Sequence, residues 1–248
     1  MGAGWRVLSD GGGDSVVLAV DYWVGRSQAG FRELVGALGM AITVLETVPP
    51  TDAPLDPRRY RDAWLAGIDD HTRVELVLGN CVGAGYALAL AAAIGELPGR
   101  TAPPVVLFNP ELASAETIGA EFERLTANLG GGAVVDPSPG ANLPALATRL
   151  AEVYRSLLVR RAEEVDELDD EFVDELTAFA AGYLRYLAAA GDLDLGKLPR
   201  AAVALTAATA CSGLELAART VRFDVDRAAL LTHPEVVQAV SDMIGVTR

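Results

Sequence analysis

Histidine and cysteine are both scarce in this chain of 248 residues: His71 and His233, Cys81 and Cys211. So few and so scattered, they offer no metal-ligand spacing, and no metal is expected. Two cysteines this far apart in sequence do not build a disulfide framework, and a reducing cytoplasm is the compartment they imply. No apolar run reaches the length needed to cross a bilayer. The opening MGAGWRVLSDGGGDS has no apolar core of signal-peptide length. Cations are also in deficit: 20 Lys and Arg stand against 34 Asp and Glu, a formal charge of −14. A chain of that balance is a poor partner for nucleic acid or an anionic membrane.

What remains is hydrophobic, 51% of residues, enough for the core of one large α/β domain with an insertion. Residues 1–14 are glycine-rich and read as a loose leader. Ser15–Val20 (SVVLAV) reads as a strand, Phe31–Leu38 as a short helix ending at Gly39, and Ala41–Thr47 as a strand. After a proline-bearing loop, Tyr60–Ile68 has helical spacing. Val105–Phe108 and Ala201–Leu205 read as further strands, Thr220–Phe223 as a last short one. Asp224–Leu231 reads as a loop. The closing helix spans Thr232–Ile244, with Thr232 and Glu235 spaced as a capping box. Strands alternating with helices predict a mostly parallel sheet flanked by helices. The largely helical stretch 141–198 lies between strand patterns and reads as a cap inserted within a single domain, 1–248.

The most informative stretch is VELVLGNCVGAGYALALAAAIG, Val74–Gly95. An aliphatic run to Leu78 reads as a buried parallel strand, and Tyr86–Ile94, rich in Ala and Leu, as a helix. Between them, Gly79-Asn80-Cys81-Val82-Gly83 is the G-x-S-x-G pattern of a strand–turn–helix elbow with cysteine in the serine position. Residues two before and two after the central one must be small, and the N-terminus of the following helix favours a thiolate or an oxyanion at Cys81. Two plainer readings compete. A dinucleotide-binding loop beginning at Gly83-Ala84-Gly85 would need a small residue where Leu88 stands, so no cofactor is expected. Alternatively, Cys81 is a small buried hydrophobe.

The order of elements resembles the α/β-hydrolase fold and, more narrowly, the thioesterases of polyketide and nonribosomal peptide assembly. Leu78-Gly79-Asn80-Cys81-Val82-Gly83-Ala84-Gly85 is similar to their L-G-x-S-x-G-G. Asp21-Tyr22-Trp23-Val24-Gly25 falls on their H-P-x-G-G loop, and Asp226–Val236 (DRAALLTHPEV) on their closing D-H-F-x-L-L-x-x-P-x-V. The resemblance implies an oxyanion hole from the backbone N–H groups of Val82 and Trp23. It places the family's acid on Asn109, with Glu111 two residues on, and its catalytic histidine on Arg227. A Ser–His–Asp triad is therefore absent. Relatives with a cysteine nucleophile shuttle aminoacyl groups between carrier proteins or close rings by Dieckmann condensation.

Cysteine needs a base less than serine does. Arg227 cannot take a proton but can favour a thiolate nearby or bind an enolate or carboxylate. His233 is the remaining candidate base; its plainer reading is a surface residue at a helix start. Asn109 can orient a histidine, or simply form a strand-end turn. Of the aromatics Tyr154, Phe172, Phe179, Tyr183 and Tyr186, most read as core, with some available to line an acyl tunnel. Arg155, Arg160 and Arg161 read as a docking patch for an acidic acyl or peptidyl carrier protein, or as a solvated helix face. Three functions follow: acyl transfer or cyclisation of a carrier-bound thioester through Cys81, hydrolytic editing of stalled carriers, or a non-hydrolytic protein on a hydrolase scaffold. Cys81 is expected to be the only cysteine labelled quickly by a thiol-reactive probe, because Cys211 sits in the apolar stretch ATACSGL.

Overall fold

The computed structural model describes residues 4–22, 29–39, 41–50, 52–129, 141–164 and 169–246. Its strands are β1 (Trp5–Ser9), β2 (Ser15–Val20), β3 (Thr43–Thr47), β4 (Arg73–Asn80), β5 (Val105–Phe108), β6 (Val203–Thr206) and β7 (Thr220–Arg222). They form one sheet in the order β1-β3-β2-β4-β5-β6-β7. Every pairing is parallel except that of β1 with β3. The aliphatic runs of β2, β4 and β5 sit in the middle, where both faces are covered, which is why they do not alternate.

Two compact units divide the chain. The sheet belongs to the unit built from Met1–Pro49, Arg58–Leu112 and Leu193–Arg248. On one face, Val17, Ala19, Leu76, Leu78, Val106, Phe108, Val203 and Leu205 meet α1 (Phe31–Leu38) and α7 (Pro234–Val246) through Phe31, Leu34, Val236, Val240 and Ile244. Against the sheet also packs α3 (Gly83–Glu96), buried almost all round because its small Ala and Gly residues let it lie close. Tyr86 of α3 meets Tyr60 and Trp64 of α2 (Pro57–Leu65) at ring-centroid distances of 5.5 and 5.6 Å.

The second unit, Pro50–Pro57 with Ala113–Asp192, is helical. It contains α4 (Ala115–Thr126), α5 (Leu143–Glu164) and α6 (Asp170–Ala190). Ser114 caps α4 through the Thr117 N–H (3.1 Å), and Asp169 caps α6 through the Phe172 N–H (2.8 Å). Tyr154, Tyr183 and Tyr186 are buried, whereas Phe172 is exposed. Tyr183 also donates its hydroxyl hydrogen to Glu121 at 2.7 Å. Among the described residues, no helix is long and apolar enough to cross a membrane.

Three local readings change. The leader contains an edge strand, β1, whose register is set by β3 rather than by its own pattern. Arg227–Thr232 is a 3-10 turn rather than a loop. The capping box at Thr232 does not form: the Thr232 hydroxyl donates back to the Ala229 carbonyl, and α7 starts two residues later at Pro234. Proline suits that first helical position because it has no N–H to satisfy.

Candidate active site

At the C-terminal end of β4 the chain reverses into α3, and Cys81 sits at the apex with φ +53°. A left-handed backbone costs a residue with a Cβ roughly 1–2 kcal/mol and persists only where the surroundings over-determine it. They do so here. The Cys81 N–H donates to the Phe108 carbonyl (2.9 Å), and the Cys81 carbonyl accepts from the N–H groups of Ala84 (3.1 Å) and Glu111 (3.2 Å). Gly79 permits the tight packing beneath: a Cβ there would stand 2.7 Å from Ala87 Cβ. Val82 occupies the N-terminal cap of α3, where backbone N–H groups have no acceptor within the helix. Trp23, the other expected oxyanion donor, lies outside the described residues.

The Cys81 side chain is 5% exposed, and Arg227 meets its sulfur. Arg227 opens the 3-10 turn after β7. Its Nη2 donates to Cys81 Sγ at 3.1 Å, and its Nη1 donates to Glu111 Oε1 at 2.8 Å. Glu111 is anchored in turn: its Oε2 accepts from the N–H (3.1 Å) and hydroxyl (2.6 Å) of Ser212. The Ser212 oxygen accepts from the Leu112 N–H at 2.8 Å. Burial works against the guanidinium's charge, but the Cys81 sulfur and Glu111 outweigh it, and the Arg227 pKa is raised. By the same Coulombic attraction, a guanidinium held against sulfur favours thiolate over thiol.

Asn109 ends β5 with φ +41° and is buried. Its Oδ1 accepts from the Ala207 N–H (2.8 Å) and, at 3.8 Å, from the Cys211 thiol. The side chain thus ties the end of β5 to the chain leaving β6; it meets no histidine. His233 is not brought to Cys81. Its ring lies against Phe223, centroids 5.9 Å apart, and its Nδ1 is buried without a hydrogen-bond partner. On the other side of the elbow, buried Asp21 accepts from Asn80 Nδ2 (2.9 Å) and the Tyr22 N–H (2.7 Å), while the Thr47 hydroxyl donates to the Asp21 carbonyl (3.0 Å). Those bonds join the ends of β2, β3 and β4 beside the elbow. Burial pushes the neighbouring Tyr22 phenol up to about 12.

The geometry therefore gathers Cys81, Glu111 and Arg227, with Asn109 alongside. Reading the sequence alone missed Ser212 and the place of Cys211, which is partly buried beside Asn109. The available signal was position. Both follow the C-terminal end of β6, the edge where ligands of parallel sheets bind.

The mostly parallel sheet flanked by helices, with its elbow at the end of β4, is the α/β-hydrolase fold. No family model matches the chain, and no curated protein matches it significantly. Among solved structures it is similar to the Vlm2 thioesterase domain bound with a dodecadepsipeptide, at 18% identity over 98% of both chains and a TM-score of 0.52. It is similar also to the RedJ thioesterase of the prodiginine pathway in Streptomyces coelicolor, at 14% identity, 94% of this chain, 87% of that one and a TM-score of 0.56. A lipase-esterase related protein from Clostridium acetobutylicum matches at 13% identity over 98% of both chains, with a TM-score of 0.53. At such identities the likeness is one of fold.

Proposed function

We propose that the chain is an enzyme that takes an acyl group from a carrier-bound thioester onto Cys81 and passes it to a nucleophile other than water, by acyl transfer or Dieckmann-type ring closure. The observation that carries this reading is the contact between Cys81 Sγ and Arg227, at the apex of an elbow where a hydrolase would present serine to histidine. The thiolate attacks the thioester carbonyl, forming a new C–S bond. The oxyanion forms beside the Val82 N–H. Collapse breaks the bond to the carrier's thiol, which leaves as thiolate and takes a proton from solvent. Arg227 cannot accept a proton, so water reaching the acyl-enzyme finds no general base there. A carbon, nitrogen or sulfur nucleophile supplied by the substrate or a second carrier forms the new bond to the carbonyl, gives its proton to solvent, and expels the Cys81 thiolate back to Arg227. The arginines of α5 would serve as the carrier's docking face.

The test is intact-protein mass spectrometry after incubation with an acyl-loaded carrier protein. The expected result is an acyl adduct on the wild type that outlasts the reaction time in water and is absent from Cys81→Ala. Product formation by Cys81→Ala at the wild-type rate would overturn the covalent route in favour of a non-covalent role for the scaffold. Rapid release of free acid would favour editing hydrolysis.

A further inference from the structure

The acyl-transfer reading leaves one thiol of the site unused. Cys211 follows β6, yet its sulfur leans onto Asn109 at the end of β5, at 3.8 Å from Oδ1. Cys81 directly follows β4, the strand hydrogen-bonded to β5. Adjacent strands are about 4.8 Å apart, so Cys81 and the Asn109 side chain that Cys211 touches stand at neighbouring strand ends, and the two thiols, 130 positions apart in sequence, are close enough for Cys81 to act on Cys211 electrostatically. A second chain of contacts draws them together: Ser212, next to Cys211, holds Glu111, which holds the guanidinium that touches Cys81. Burial, Glu111 and the Cys81 sulfur all push the Cys211 thiol up, against the opposing pull of Arg227 and Arg222.

A nucleophilic cysteine with a second thiol within reach is the arrangement that captures a peroxide's oxidation as a disulfide. We infer that Cys81 and Cys211 form a reversible modification site for hydroperoxides, closing to an intramolecular disulfide that takes Cys81 out of service. In the first step the Cys81 thiolate attacks one oxygen of hydrogen peroxide. The S–O bond forms, the O–O bond breaks, and hydroxide leaves and is protonated to water. In the second, the Cys211 sulfur attacks the sulfenic sulfur: the S–S bond forms, the S–O bond breaks, and the departing hydroxide takes the Cys211 proton. The two cysteines together lose two electrons, and the peroxide is reduced to water. Closure needs the two Cα atoms within about 7 Å. Closure would draw on Thr209 and Ala210, the exposed residues before Cys211, while Ser212 keeps its bonds to Glu111.

The experiment treats the full chain with equimolar hydrogen peroxide and reads intact mass and non-reducing peptide maps. Expected is loss of the mass of two hydrogens, a Cys81–Cys211 linked peptide, no covalent dimer, and reversal by dithiothreitol. Cys211→Ser is expected to stop at a Cys81 sulfenic acid trapped by dimedone, and to pass to sulfinic acid with excess peroxide. Oxidation of wild-type Cys81 to sulfinic acid without the linked peptide would overturn the inference, as would covalent dimers, preferential oxidation of Cys211 or no reaction at all. The outcome is independent of acyl loading: a protein that never takes an acyl group still closes the disulfide if the inference holds.

Discussion

Replacing Arg227 with glutamine removes the cation from Cys81 while keeping a polar, though shorter, side chain. At 3.1 Å and an effective dielectric of ~20, the attraction between a guanidinium and a thiolate is about 5 kcal/mol. Two features reduce it. Glu111 sits 2.8 Å from the other guanidinium nitrogen, and the Arg227 side chain is 30% exposed. Discounted for that competing charge and for solvent screening, roughly 1–2 kcal/mol remains, a factor of about 5–30 in the ratio of thiolate to thiol. The sign follows directly: without the cation the thiol form gains, so the midpoint of the rate–pH profile moves to higher pH. The assay is the pseudo-first-order rate of iodoacetamide alkylation from acid to alkaline pH, in a Cys211→Ser background so that Cys81 alone reports. Arg227→Gln is expected to react about 5–30 times more slowly near neutral pH and to approach the parent rate at high pH. Arg227→Lys falls between, because a single ammonium cannot serve both Cys81 and Glu111. Identical profiles for parent and Arg227→Gln would refute electrostatic activation by this residue.

Gly79→Ala forces a Cβ to 2.7 Å from Ala87 Cβ and 3.0 Å from Ala84 Cα. A loss of about 1–3 kcal/mol is expected in thermal unfolding, and an unchanged Tm would show that β4 and α3 yield more readily than their contact implies. His233→Ala should leave Cys81 alkylation and acyl loading within about twofold of wild type, since general-base catalysis is worth ~10²–10⁴-fold; a loss of that size would return His233 to the catalytic machinery. On α5, Arg155 is paired with Asp174 and Arg161 with Glu164, each in a bridge of 3.0–3.1 Å, whereas Arg160 has no such partner among the described residues. If this face docks a carrier, Arg160→Glu should slow association more than either other reversal, and salt should reproduce the effect in surface plasmon resonance. Equal, salt-insensitive rates would assign all three to solvation.

The elbow was legible because each part announces itself locally: an aliphatic run, small residues flanking Cys81, then an Ala- and Leu-rich helix. Arg227 was legible through the spacing of the tail around Leu230-Leu231 and Pro234. What stayed hidden depends on distant partners. Trp5–Ser9 has no alternation of its own and is a strand because β3 offers an open edge. The bond from Ser212 to Glu111 spans 101 residues, and no short pattern marks either end. Cys211 lies in a run of Ala and Thr that gives no local sign that it follows β6 and meets Asn109. Thr232 carried the composition of a helix cap, yet its hydroxyl found a nearer carbonyl in the preceding 3-10 turn.

The guanidinium at Cys81 also decides what sets the clock. Histidine gains and loses a proton with every turnover of a hydrolase, so it times the discharge of the acyl group. Arginine stays charged from one end of the cycle to the other. Under the proposed chemistry, a site anchored by Arg227 and Glu111 is a holding berth: it loads, keeps its polarity fixed, and waits. The lifetime of the cargo is then written in the acyl chain itself, in how soon it can bring its own nucleophile round to the carbonyl.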